Sequence, residues 1–136
     1  MIELIKNNSI EQEIKFTYGG TEFEFSVWVK YLDRDTLQEY NQSLLKALKA
    51  QQDESDDADE LVMAHEHYVE SLVPKYITEW SVVDVNGDTP PCTEQNVAEL
   101  MQHAIANTML KRAFVQTQNQ QMDEHSKNLS STPDIG

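Results

Sequence analysis

The sequence predicts an α+β domain, with an N-terminal antiparallel β-hairpin packed against about three α-helices. Three observations predict it. Residues 14–31 alternate apolar and polar side chains across a Gly19-Gly20 step, the period of a half-buried strand pair. Later stretches carry apolar residues at helical spacing instead. The chain has 136 residues, enough to bury one core without disulfides or metals.

The first third reads as strands. Ile14, Phe16 and Tyr18 alternate with Lys15 and Thr17, and Phe23, Phe25, Val27, Val29 and Tyr31 alternate with Glu22, Glu24, Ser26, Trp28 and Lys30. Gly19-Gly20 between them signals a tight hairpin, because glycine accepts the positive φ such turns need. Trp28 falls on the nominally wet face. It is either covered by a helix or the N-terminal segment, which its size favours, or exposed for contact. Ile2, Leu4 and Ile5 suggest a short edge strand.

A helix follows. Asp33 is a candidate N-cap, Thr36 with Glu39 has capping-box spacing, and Leu37, Tyr40, Leu44, Leu45 and Leu48 form the apolar stripe. The acidic run Asp53–Glu60 reads as a solvated loop, its last acids suited to the start of the next helix. That helix carries Leu61, Val62, His65, Tyr68, Val69 and Leu72 and is expected to end near Pro74. Residues 81–88 read as a short strand with an Asn86-Gly87 turn. Thr93 then caps a last helix carrying Val97, Leu100, Met101, Ala104, Ile105, Leu110 and Phe114. Beyond Phe114 the stripe stops. Residues 1–125 are expected to form one domain, and the weakly apolar 126–136 a flexible tail.

Composition excludes several functions. The formal charge is −14, whereas folded nucleic-acid binders present cations to phosphates. Anionic membrane surfaces would also repel the chain, and no stretch approaches the ~20 apolar residues of a membrane span. With one cysteine, Cys92, no internal disulfide forms. The N-terminus has no apolar run of signal-peptide length, so the expectation is a protein that stays where it is made.

No motif carries catalysis. His65-Glu66-His67 lacks the zinc-protease spacing, and residues two apart on a helix face different ways. Asp84-Val-Asn-Gly-Asp88 places Gly87 fourth, where a calcium loop needs it sixth. Cys92 precedes a helix start, a place that can lower a thiol pKa, but no cysteine-nucleophile signature surrounds it. There is no nucleophile elbow, phosphate loop or dinucleotide fingerprint. The expectation is no enzyme, no cofactor and no metal. What remains is surface. Met101, Met109, Met122, Leu110 and Phe114 give the last helix an adaptable apolar face, suited to a helix-in-groove contact. Met109, Leu110 and Phe114, with Trp28, are the partner-contact candidates.

One resemblance sharpens this. Lys75–Leu100 carries Trp80 where a short helix is expected to end, then an Asn86-Gly87-Asp88 turn, Pro90, and Thr93 opening a helix through Val97 to Leu100. Phe25–Leu37 forms a strand-to-helix junction. Together they resemble the tail assembly chaperones of long-tailed bacteriophages, with Cys92 a minor departure. The resemblance implies a non-enzymatic protein that coats the tape-measure protein, helps recruit tail-tube subunits, acts in the host bacterial cytoplasm and leaves before the virion is complete. It further implies a longer product made by ribosomal frameshifting, for which codons around Lys127-Asn128 are a candidate. Many weak copies on one long partner gain by multivalency, which makes self-association a related expectation. The alternative is a structural tail component, a terminator or connector subunit.

Overall fold

A computed structural model describes residues 8–130. The edge strand expected at Ile2, Leu4 and Ile5 and residues 131–136 of the tail lie outside that range. The fold is α+β. Strands β1 (Ser9–Tyr18), β2 (Thr21–Lys30) and β3 (Ile77–Trp80) form an antiparallel sheet in the order β1-β2-β3. Helices α1 (Arg34–Gln52), α2 (Ala58–Tyr76), α3 (Glu94–Leu100) and α4 (Ala104–Ser130) are the helices among the described residues.

The hairpin forms where the alternation places it. Gly19 and Gly20 have φ of 60° and 81°, the paired positive values of a two-residue turn that matches strand twist. The resulting register sets Ile14 opposite Phe25 and Phe16 opposite Phe23, so the apolar residues of both strands share one face. β3 extends the sheet by pairing Trp80 with Val27 and Ile77 with Val29, with an irregularity at Trp28/Val29.

The core lies between that face and the helices. Ile14, Val27 and Val29 meet Tyr40 of α1, Val69 and Val73 of α2, Val97 of α3, and Leu110 and Phe114 of α4. The Phe114 ring sits edge-on between Tyr40 at 6.1 Å and Tyr76 at 6.2 Å. Such aromatic contacts add roughly 0.5–1.5 kcal/mol each beyond area burial. Asp33, not Thr36, is the N-cap of α1: its Oδ1 accepts from the Thr36 N–H at 2.9 Å. The acidic run resolves into turns through residue 57. Asp59 and Glu60 then sit in the first turn of α2, where the helix dipole favours them.

The short helix expected to end in Trp80 is instead strand β3, its residues laddered to β2, and four other expectations change. First, α2 passes through Pro74 to Tyr76, because Val73, Tyr76 and Ile77 are all buried and hold that last turn in place. Second, residues 81–88 form no strand. Asp84 Oδ1 accepts from the N–H groups of Asn86 (2.9 Å) and Asp88 (3.0 Å), so local bonds displace a ladder. Third, the last helix is two helices. Backbone turns at 101–103 separate them, and Asn107 Nδ2 at the start of α4 bonds both Met101 O (3.0 Å) and Glu70 Oε1 (2.8 Å), anchoring the new direction on α2. Fourth, α4 continues through 126–130, which were expected in the tail. No glycine or proline interrupts that stretch, and Gln, Met, Glu and Lys are adequate helix formers.

The polar half of α4 is packed, although its apolar stripe ends at Phe114. Thr117 and Gln118 are fully buried. Gln118 Oε1 accepts from the Leu32 N–H at 3.1 Å, Gln118 Nε2 donates to Lys30 O at 3.3 Å, and Gln121 Nε2 donates to Leu32 O at 3.1 Å. Gln12 Nε2 on β1 reaches Thr117 Oγ1 (3.0 Å) and Gln120 Oε1 (3.1 Å). These amides satisfy the backbone where β2 leaves the sheet, so the polar residues close the core there.

Candidate protein-binding site

Three sequence-distant segments build an apolar groove at the hairpin tip. Phe16 and Phe23 stack at 5.5 Å between centroids, and Phe25 meets Phe16 edge-on at 6.3 Å. They form the floor because the two-residue turn puts all three on the inner face, beyond the end of β3. Val82 and Val83, leaving β3, form one wall. Leu100 and His103, at the α3–α4 junction, form the other, and His103 lies edge-on to Tyr18 at 4.4 Å. The groove holds about 550 Å³, within the ~300–1,000 Å³ range of ligand clefts.

Its charge is one-sided. Glu22, Glu24 and Glu99 line it, and no lysine or arginine does. Glu22 pairs with Lys15 at 2.9 Å across the hairpin, an exposed pair that contributes little to stability. Phe23 remains 43 % exposed and Tyr18 52 %, so a large part of the aromatic surface faces solvent. Buried aromatic anchors dominate binding energy in protein interfaces, which makes this surface the strongest contact candidate. Met101 behind it is buried and belongs to the core.

The chain between β3 and α3 is locked from within. Trp80 Nε1 donates to Pro90 O at 2.8 Å, and Thr93 Oγ1 caps α3 by accepting from the Asn96 N–H at 3.1 Å. The Asn96 side chain returns to Pro91 O at 2.8 Å. These bonds hold Val82 and Val83 opposite the phenylalanines.

A larger cleft of about 780 Å³ lies between α1 and α2, lined by Leu45, Leu61, Ala64 and Tyr68 with the stems of Lys46 and Lys49. Tyr68 donates to Glu39 at 3.2 Å across it; burial, and then this carboxylate, push the phenol up to about 12. The smaller groove is the better candidate despite its size. Its floor is aromatic and fixed by the sheet, whereas the long polar side chains of Glu39, Gln42, Lys46 and Lys49 make up much of the larger cleft's lining.

The sites expected from sequence fall elsewhere. Leu110 and Phe114 are fully buried core residues and are unavailable to a partner in this fold. α4 lies across the sheet instead of projecting beyond it, which turns the stripe inward. Met109 is half-buried against the core, with Arg112 Nη1 3.9 Å from its sulfur. Trp28 is half-buried on the outer sheet face, between Glu11 and Glu79 on the neighbouring strands and beside the Pro90–Cys92 segment, not under a described helix. The groove went unread because its walls come from three regions. The signal available was the crowding of Phe16, Tyr18, Phe23 and Phe25 around one turn.

The remaining candidates have ordinary surroundings. His65 is half-buried beside Tyr40, with Nδ1 2.8 Å from Ser43 Oγ, while His67 is exposed. Among the described residues, no three His, Cys, Asp or Glu side chains lie where they could hold a metal ion. Burial, and then Glu79, raise the Cys92 thiol pKa, opposite to the lowering its place before α3 suggested. Its Sγ lies 3.7 Å from Ile77 O. Among the described residues, no helix is long and apolar enough to cross a membrane. No protein-family model, curated protein or solved structure matches the chain.

Proposed function

We propose that this protein is a tail assembly chaperone of a long-tailed bacteriophage. It binds exposed apolar surface on the tape-measure protein in the host cytoplasm, without catalysis, and hands that surface on as the tail tube assembles. Tail-tube subunits are recruited through a longer, frameshifted product, and the protein leaves before the virion is finished.

The observation that carries the reading is the groove. Both segments of the resemblance contribute to it: Phe25 from the strand-to-helix junction, and Val82, Val83, Glu99 and Leu100 from the Trp80-to-Leu100 stretch. The physics suits reversible masking. Covering the groove's apolar lining and the matching partner surface, roughly 250 Å² together, contributes about 6 kcal/mol at ~25 cal/mol/Å². Association costs about 4–15 kcal/mol, so one groove binds weakly. Many copies along one long chain would hold together and still release stepwise. The net charge of −14 keeps such a complex dispersed.

The test is co-expression with the tape-measure protein of the same phage, followed by affinity purification. The wild-type chain is expected to bring the tape-measure protein down soluble. Phe23→Glu, which places a carboxylate on an already exposed floor residue, is expected to lose it while folding normally. The chain is also expected to be missing from purified particles. Its stoichiometric presence there would replace this reading with a terminator or connector subunit.

A further inference from the structure

We infer that the groove takes its partner as an added β-strand, laid along the free edge of β2, and that this partner segment is extended and alternates apolar with basic residues. The inference deepens the chaperone reading and rests on it for the identity of the bound chain.

The unpaired edge follows from the register. A two-residue turn makes Tyr18 and Thr21 a hydrogen-bonded pair, so every second residue of β2 from Thr21 bonds to β1. The bond from Tyr31 N–H to Asn8 O at 2.8 Å keeps the same parity at the far end. Glu22, Glu24, Ser26 and Trp28 therefore turn their N–H and C=O groups the other way, toward the β3 side. β3 serves Trp28 and reaches Ser26, where Ser81 N–H donates to Ser26 O at 2.9 Å and the Ser81 hydroxyl accepts from Ser26 N–H at 2.8 Å. There the chain leaves the ladder. The backbone groups of Glu22 and Glu24 have no partner among the described residues, and they face the groove that Val82 and Val83 wall on the other side. The line of β3, continued past Ser81, runs beside them.

Charge and face define the occupant. In an antiparallel pair, directly opposed residues share a face. Positions opposite Phe23 and Phe25 point onto the aromatic floor and require apolar side chains. Positions opposite Glu22 and Glu24 point to the outer face, where Lys15 offsets only one of the two carboxylates and the remaining negative charge favours lysine or arginine. A helix could fill the floor but would leave the β2 amides unbonded.

The experiment uses the full-length chain and a capped nonapeptide of alternating valine and lysine, read by residue-resolved amide hydrogen exchange. At a free peptide concentration 100 times its Kd, exchange at Glu22 and Glu24 is expected to slow about 100-fold. A peptide N-methylated on the lysines that face Glu22 and Glu24 keeps charge and side chains but cannot donate; it is expected to lose that protection. An alternating valine–glutamate peptide is expected not to bind. Equal binding of the methylated peptide, or protection that avoids Glu22 and Glu24, overturns strand addition and leaves the chaperone reading intact. Failure to co-purify the tape-measure protein, with protection at Glu22 and Glu24 still seen, overturns the chaperone reading alone.

Discussion

Replacing Gln118 with methionine tests whether the polar half of α4 closes the core. Methionine keeps the length and most of the volume of the side chain but removes its donor and acceptor. The Lys30 carbonyl, bonded at 3.3 Å, sits on a half-buried residue and can turn to water. The Leu32 N–H cannot, because Leu32 is 3 % exposed and Gln118 Oε1 is its acceptor at 3.1 Å. Leaving a buried donor unsatisfied costs about 1–3 kcal/mol, and the added apolar burial offsets part of this. We expect a net loss of about 2 kcal/mol, a sizeable share of the ~5–15 kcal/mol stability of a domain. In urea, with a slope of about 1.5 kcal/mol/M, the midpoint falls by about 1.3 M at unchanged slope. Gln118→Ala should lose a further ~1–2 kcal/mol to the cavity. A Gln118→Met stability within about 0.5 kcal/mol of wild type, with unaltered exchange at the Leu32 amide, would refute the role given to this amide.

Other perturbations probe separate parts. Phe114→Ala empties the space between Tyr40 and Tyr76 and should cost about 3–5 kcal/mol by denaturant melting, with partner binding lost only as the fold is lost. Thr93→Ala removes the cap of α3 and should cost about 1 kcal/mol in the same assay, with Thr93→Ser close to wild type. Burial lowers the His65 pKa below 6.5, with Glu66 acting weakly the other way. Its folded state therefore disfavours the charged ring. That contribution is complete above pH 6.5 and declines as pH falls through the lowered value. Stability measured from pH 7 down to pH 5 should fall less steeply in His65→Gln than in wild type.

The elements read correctly from sequence are those whose causes are local. The hairpin needs only alternation and two glycines that accept positive φ. The caps at Asp33 and Thr93 each act within three residues, and the acids that open α2 answer that helix's own dipole. The features that escaped depend on partners far along the chain. Gln118 resembles a solvent-facing residue until β2 ends beside it, 86 residues away from Leu32 in sequence. The stripe through Leu110 and Phe114 is the same whether it faces a core or a partner, and only the direction of α4 decides. That direction is set where Asn107 ties Met101 and Glu70 together, a contact no helical periodicity encodes. The groove is a sharper case. Sequence alone determined the phenylalanines, their shared face and the acids between them. Tertiary structure decided that β3 stops short of them, leaving an open strand edge beside an aromatic floor, because the length of a sheet's overlap depends on where the intervening helices return the chain.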